Sequence, residues 1–312
     1  MADRARVSDS STPALRRRPG VVGRIARAAL TLAELVKFEH TIFALPFALI
    51  GASLAAASLR MPHALPSWST LGWILLAMVG ARTTAMAFNR IVDARYDAAN
   101  PRTMNRAIPK GTVKIWQAWA LTLAAAALLV FAAANLNRLC LMLSPVAVAA
   151  VMGYSLTKRF TQWTHFALGA ADGIAPVGAW LGVTGSFAVT PILLWAAVTL
   201  WIGGFDIFYA LQDIEVDRRL GIFSLPARLG PGRALCIARV MHAGTLLCLG
   251  AVGITASLGG WYYGGLILCA VILAYEHRIV KPYDLRHVNT AFQTLNGWVS
   301  IALWLAVTMD RW

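Results

Sequence analysis

Trp201-Ile202-Gly203-Gly204-Phe205-Asp206-Ile207-Phe208-Tyr209-Ala210-Leu211-Gln212-Asp213-Ile214-Glu215-Val216-Asp217 ends a long apolar run by turning acidic. Read as a helix at about 100° per residue, Asp206, Tyr209, Asp213 and Asp217 fall within roughly an 80° arc. Glu215 points the opposite way on the same wheel, so the spacing selects among acids. Carboxylates crowded on one face repel one another unless a cation lies between them, and a divalent metal is the simplest such cation.

The arrangement occurs once more, nearer the N-terminus. Asn89-Arg90-Ile91-Val92-Asp93-Ala94-Arg95-Tyr96-Asp97 also closes an apolar run, and Asn89, Asp93 and Asp97 at i, i+4 and i+8 share one helical face. Oxygen ligands with few histidines and no cysteine pattern suit Mg²⁺, which is usually held by one or two carboxylates, water and substrate phosphates. A diphosphate substrate is implied.

Of the 312 residues 58% are hydrophobic and 13% charged, with a mean hydropathy of +0.62. Apolar segments near 20 residues recur, which defines an all-α integral membrane protein. Nine spans are expected, at 38–59, 68–88, 115–136, 138–156, 163–183, 190–210, 235–257, 259–276 and 291–309. Short alternating barrel strands are absent from the sequence pattern.

A net charge of +14 could suggest nucleic acid, but its distribution excludes that reading. Eight Lys and Arg residues precede residue 38, six lie at 89–114, two at 158–159, five at 218–239 and three at 278–286. The alternate connections hold almost none. This asymmetry puts the N-terminus, both acidic clusters and the 157–162 loop in the cytoplasm and the C-terminus outside, as for a multi-pass protein of the bacterial inner membrane. The four cysteines, within apolar runs and without ligand spacing, read as packing residues.

Taken in order, residues 1–23 read as a disordered basic cytoplasmic tail and 24–312 as a single transmembrane domain. The start of the latter, Arg24 to Glu39, is amphipathic, either a surface helix or a solvated basic arm. Arg82 lies seven residues before Asn89 and on the same face; it either pairs with a buried carboxylate or touches substrate. The loop after Asp97 brings Arg102, Arg106 and Lys110 beside the carboxylates, as a diphosphate requires. Asp172, inside the fifth span, is a candidate partner for Arg82. Glu276, His277, Arg278 and Lys281 read as a solvated turn, and the last three spans as scaffold. Both halves run apolar span, spaced carboxylates and basic loop, a coarse internal duplication.

Asn89-x₃-Asp93-x₃-Asp97 followed by Arg102-Thr103-x₂-Arg106, with Asp206-x₂-Tyr209-x₃-Asp213-x₃-Asp217 followed by Gly221-x₂-Ser224-Leu225-Pro226, resembles the UbiA superfamily of intramembrane aromatic prenyltransferases. The resemblance implies nine transmembrane helices around a central chamber capped by cytoplasmic loops, and Mg²⁺-dependent transfer of a polyprenyl group from a polyprenyl diphosphate to a ring carbon of a hydroxylated aromatic acid. It further implies metal ligands at Asp93, Asp97, Asp213 and Asp217, diphosphate contacts from Asn89, Arg102, Arg106, Lys110 and Lys158, and catalytic roles for Asp206, Tyr209 and Arg159. Arg159 would hold the acceptor carboxylate and Asp206 would lie near its hydroxyl.

Many members have Asn-Asp where this chain has Asn89-Arg90, which leaves Asp93 and Asp97 as the ligands. The resemblance favours 4-hydroxybenzoate, as in ubiquinone biosynthesis. Lys37-Phe38-Glu39-His40-Thr41-Ile42-Phe43-Ala44-Leu45-Pro46 resembles instead the branch that prenylates a dihydroxynaphthoate for menaquinone. A secondary transporter is the distant alternative, disfavoured because both clusters sit at one membrane face. Beyond the bilayer no obligate protein partner is implied.

Overall fold

The computed structural model describes residues 41–311. The basic tail, the amphipathic stretch at 24–39, the start of the Lys37–Pro46 motif and Trp312 lie outside the described residues. Helices α1 (Thr41–Ser58), α2 (Trp68–Val92), α3 (Ala94–Ala99), α4 (Ile115–Leu136), α5 (Arg138–Thr157), α6 (Thr164–Asp172) and α7 (Ile174–Thr184) make up the first part. The second part comprises α8 (Val189–Ala210), α9 (Ile214–Leu220), α10 (Leu225–Leu229), α11 (Pro231–Thr255), α12 (Gly260–Ile279) and α13 (Asn296–Arg311). Among the described residues β pairing is confined to an isolated bridge between Lys281 and Asp284.

Among the described residues six segments are long and apolar enough to cross a membrane: Pro62–Val92, Ile115–Leu136, Arg138–Thr157, Thr164–Thr184, Val189–Leu220 and Pro231–Thr255. The other three expected spans fall on helices too. Of these, Ala44–Ser58 is a shorter apolar helix, α12 carries His277 and Arg278 in its last turn, and α13 is 16 residues long and ends on Arg311.

α8 is the axis of the bundle. Leu194, Ala197, Val198, Trp201, Ile202, Ile207 and Phe208 are all buried on it, and it packs most extensively against α11 and α6. Gly169 permits the second contact, because a Cβ there would stand 2.1 Å from the Thr199 carbonyl oxygen. A buried polar chain holds α8 to the C-terminal helices: Trp201 Nε1 donates to Asn296 Oδ1 at 2.7 Å, and Asn296 Nδ2 donates to Glu276 Oε1 at 2.7 Å. Glu276 is thus fully buried rather than part of a solvated turn. The physical reason is its amide partner on the facing helix, which no local pattern reveals.

Three interruptions depart from the expectation of continuous helices. The fifth expected span breaks at Gly173, between α6 and α7. α2 ends at Val92, with Asp93 at φ −92° and ψ −1° forming its joint with α3. α8 ends at Ala210, and a 3₁₀ turn at Leu211–Asp213 leads into α9. Both acidic motifs therefore bend at their middle aspartate, and the single-wheel geometry describes each only up to that residue.

Candidate active site

The two bends face each other across a chamber of about 280 Å³ lined by both motifs. On the first side, Asp93 is 2% exposed and accepts from Asn89 Nδ2 at 2.9 Å and Lys158 Nζ at 2.5 Å. Asp97 accepts from Arg106 Nη1 through Oδ1 at 2.7 Å. The intervening loop folds locally: Asn100 Oδ1 accepts the Arg102 N–H at 2.9 Å, and the Thr103 hydroxyl donates to the Asp97 carbonyl at 3.1 Å. These bonds aim Arg102 across the chamber.

On the second side Arg102 donates to both oxygens of Asp213, while Asn100 Nδ2 donates to Asp213 Oδ1 at 2.9 Å. Burial alone would weaken the Arg102 charge, but the bonds to Asp213 outweigh it and raise its pKa above the ordinary guanidinium value. Arg102 also donates to the Tyr209 hydroxyl at 2.5 Å, and the Tyr209 ring stacks on Phe292 at 4.5 Å. Asp217 accepts from the Ser224 hydroxyl at 2.7 Å. Glu215, beyond the bend at Asp213, is exposed and outside the lining.

Asn89, Asp93, Asp97, Arg102, Arg106, Lys158, Asp206, Tyr209, Asp213 and Asp217 all line the chamber, whereas Lys110 and Arg159 do not. Lys110 is exposed, its N–H turned back to the Arg106 carbonyl at 3.0 Å. Arg159 stands at the edge of the site: it donates to the carbonyls of Ser155 at 2.9 Å and Val92 at 2.6 Å, and also to Asp93 Oδ1 at 3.4 Å. It thereby satisfies the free carbonyl end of α2.

Arg82, Tyr154 and His165 line the chamber as well. His165 shares the fifth apolar span with Asp172, and an intramembrane ionisable residue is itself a functional signal. Arg82 and Asp172 lie close enough to interact electrostatically but make no direct ion pair among the described residues, where Arg82 Nε is also buried without a hydrogen-bond partner. Together with Ala44 they also line an apolar cavity of about 260 Å³, whose walls include Ile74, Met78, Leu129, Leu136, Leu143 and Val177. The polar chamber thus continues into an apolar one.

No three His, Cys, Asp or Glu side chains among the described residues converge into a closed metal site. Among the described residues Asp97 Oδ2 is nevertheless buried without a hydrogen-bond partner, and Asp217 accepts from a neutral hydroxyl and forms no direct ion pair. Hard oxygen donors left open on facing walls fit a cation that keeps water and substrate oxygens in its coordination shell.

A helical membrane bundle with paired carboxylates, a basic rim and an apolar extension defines a protein built for an amphiphilic anion. The chain belongs to the UbiA prenyltransferase family, whose model matches residues 44–304, and is accordingly a polyprenyltransferase. It is 28% identical to a 4-hydroxybenzoate octaprenyltransferase of Salmonella paratyphi C over 77% of this chain and 83% of the relative. Among solved structures it resembles the apo structure of a UbiA homolog from Aeropyrum pernix K1, with a TM-score of 0.78 and 34% identity over 88% of this chain and 98% of the other. A UbiA homolog from Archaeoglobus fulgidus bound to GPP and Mg²⁺ shares the fold at a TM-score of 0.66 and 17% identity, over 89% and 99% of the two chains.

Proposed function

We propose that this protein transfers a polyprenyl group from a polyprenyl diphosphate to a ring carbon of a hydroxylated aromatic acid, 4-hydroxybenzoate, in quinone biosynthesis at the inner membrane. The observation that carries the reading is the junction: a chamber rimmed by Arg102, Arg106 and Lys158 opens at Arg82 and Asp172 into an apolar cavity. One molecule with a diphosphate head and a hydrocarbon tail fits both halves. The basic residues support a cytoplasmic rim, and nine spans, counting α1, α12 and α13, would leave the N-terminus inside and the C-terminus outside.

Asp93, Asp97, Asp213 and Asp217 would hold Mg²⁺ with the diphosphate, where the ion would neutralise charge on the leaving oxygens. Arg102, Arg106 and Lys158 already pair with three of those carboxylates, so on binding they exchange a carboxylate for a phosphate oxygen. They then stabilise charge where it develops as the allylic C–O bond breaks and its electron pair leaves with the diphosphate. The ring carbon attacks the allylic carbon, and the hydrogen it carried passes as a proton to the released diphosphate, which restores aromaticity. Asp206 takes the acceptor hydroxyl's hydrogen bond or proton, which makes the ring a better nucleophile. The apolar walls exclude water that would capture the cation.

The lining favours Arg82 over Arg159 as the group facing the acceptor carboxylate, because Arg82 lines the chamber whereas Arg159 is held by two carbonyls and by Asp93. A competition assay tests the function: protein-containing membranes, Mg²⁺, a short prenyl diphosphate, and equal 4-hydroxybenzoate and dihydroxynaphthoate. Prenylated hydroxybenzoate in the lipid extract by mass spectrometry is the expected result. Prenylated naphthoate would move the protein to the menaquinone route, and no product with either acid would defeat the reading.

A further inference from the structure

His165 is 2% exposed and makes two contacts that fix its chemistry. Nδ1 stands 2.7 Å from Asp206 Oδ2, and Nε2 lies 3.4 Å from the backbone nitrogen of Leu225. A peptide N–H can only donate, so Nε2 is the bare nitrogen and Nδ1 carries the hydrogen given to Asp206. A doubly protonated ring would set two donors against each other at Leu225. Asp206 is thus held through Oδ2 while its side chain stays 23% exposed on the chamber wall, leaving Oδ1 for the acceptor.

The segment behind the ring is equally constrained. Gly221 ends α9 in the left-handed region at φ +70°, where glycine alone is unstrained. The next residues are fastened to three different parts of the site. The Phe223 N–H donates to the Lys158 carbonyl at 2.8 Å, the Ser224 hydroxyl to Asp217 at 2.7 Å, and the Leu225 N–H to His165. The turn that steadies the diphosphate side therefore also steadies the acceptor side.

We propose that His165 is a positioning residue for the acceptor step: through its Nδ1–H it holds Asp206 with one oxygen toward the acceptor hydroxyl, and through Nε2 it registers that carboxylate to the Phe223-Ser224-Leu225 turn. This inference rests on the acceptor chemistry proposed above. In the step itself the hydroxyl proton passes to Asp206 Oδ1, and His165 keeps its own.

The test compares His165→Phe with His165→Asn, whose side-chain amide can place an N–H where Nδ1 stands. In purified protein, His165→Phe lowers acceptor turnover by about 10–100-fold, the range for groups that orient a reacting side chain. Affinity for geranyl diphosphate with Mg²⁺, measured by calorimetry, stays within about twofold, and His165→Asn recovers most of the turnover. Equal losses of turnover and diphosphate affinity in His165→Phe, or an Asn variant no better than Phe, would assign His165 a merely structural role and overturn the proposal. Nitrogen-15 spectra of histidine-labelled protein test the pair without either variant. A resonance of the Nδ1–H tautomer that Asp206→Ala abolishes supports it, and an Nε2–H tautomer at His165 overturns it. If the unaltered enzyme prenylates neither acid, the functional reading fails while the tautomer still decides the His165–Asp206 pair.

Discussion

The two acidic motifs look alike in sequence but are neutralised differently. In the first, each aspartate has a cation beside it: Asp93 has Lys158 and, more distantly, Arg159, and Asp97 has Arg106. In the second, Asp213 borrows Arg102 from the loop that follows the first motif, and among the described residues Asp217 has a hydrogen bond from the Ser224 hydroxyl and no direct ion pair. The halves therefore form one electrostatic unit, with Arg102 as the bridge and Asp217 as the carboxylate most in need of an external cation. A duplicated pattern has become an asymmetric site.

The largest effect should come from removing open oxygen donors. Asp217→Asn and Asp97→Asn are each expected to lower kcat by about 10³-fold or more, with the protein still folded by thermal unfolding in detergent. If Asp97→Asn is silent while Asp217→Asn is inactive, the metal belongs to the second motif alone.

Next comes the bridge. Arg102→Ala should cost about 10²-fold in kcat/KM for the diphosphate, because it leaves Asp213 and Tyr209 without their shared donor and removes a bidentate phosphate contact. Arg102→Lys should restore part of it; full restoration would show that the bridge needs only a point charge.

A smaller effect is expected at Ser224→Ala. The hydroxyl's bond to Asp217, at about 1 kcal/mol, corresponds to about fivefold, seen as weaker Mg²⁺ activation in a metal titration, while the loss of its weaker cap to the Ala227 N–H is read separately as stability. An unchanged titration would show that Asp217 does not depend on its hydroxyl partner.

The smallest contrast is between neighbours in one loop. Lys110→Ala should stay within about twofold of the parent, whereas Arg106→Ala should lose about tenfold or more in steady-state assays. Equal losses would mean that the loop closes further over the substrate and brings Lys110 inward.

Both motifs and their facing aspartates were legible because carboxylates at helical spacing beside apolar spans are costly to bury unless cations compensate them, so the pattern itself points to a charged ligand. Lys110 and Arg159 were less so. Charge and loop position point Lys110 to the rim and the family resemblance points Arg159 to the acceptor, whereas a turn at Lys110 and the open end of α2 at Arg159 decide where each side chain lies. Glu276 was misplaced for a related reason, since polar residues near a helix end read as solvated until a facing side chain such as Asn296 is known.

By itself the sequence determined the helical membrane class, the recurrence of long apolar segments, the basic loops beside the acidic motifs and the pairing of those two motifs. Segment length, charge asymmetry and helical periodicity are local properties that survive without contacts. Only the tertiary structure decided that each motif bends at its middle aspartate, that Arg102 reaches Asp213, that Arg82 rather than Arg159 lines the chamber, and that His165 holds Asp206. Those facts join residues 41 to 111 positions apart or depend on a helix end left open, and packing alone brings such groups within hydrogen-bond distance.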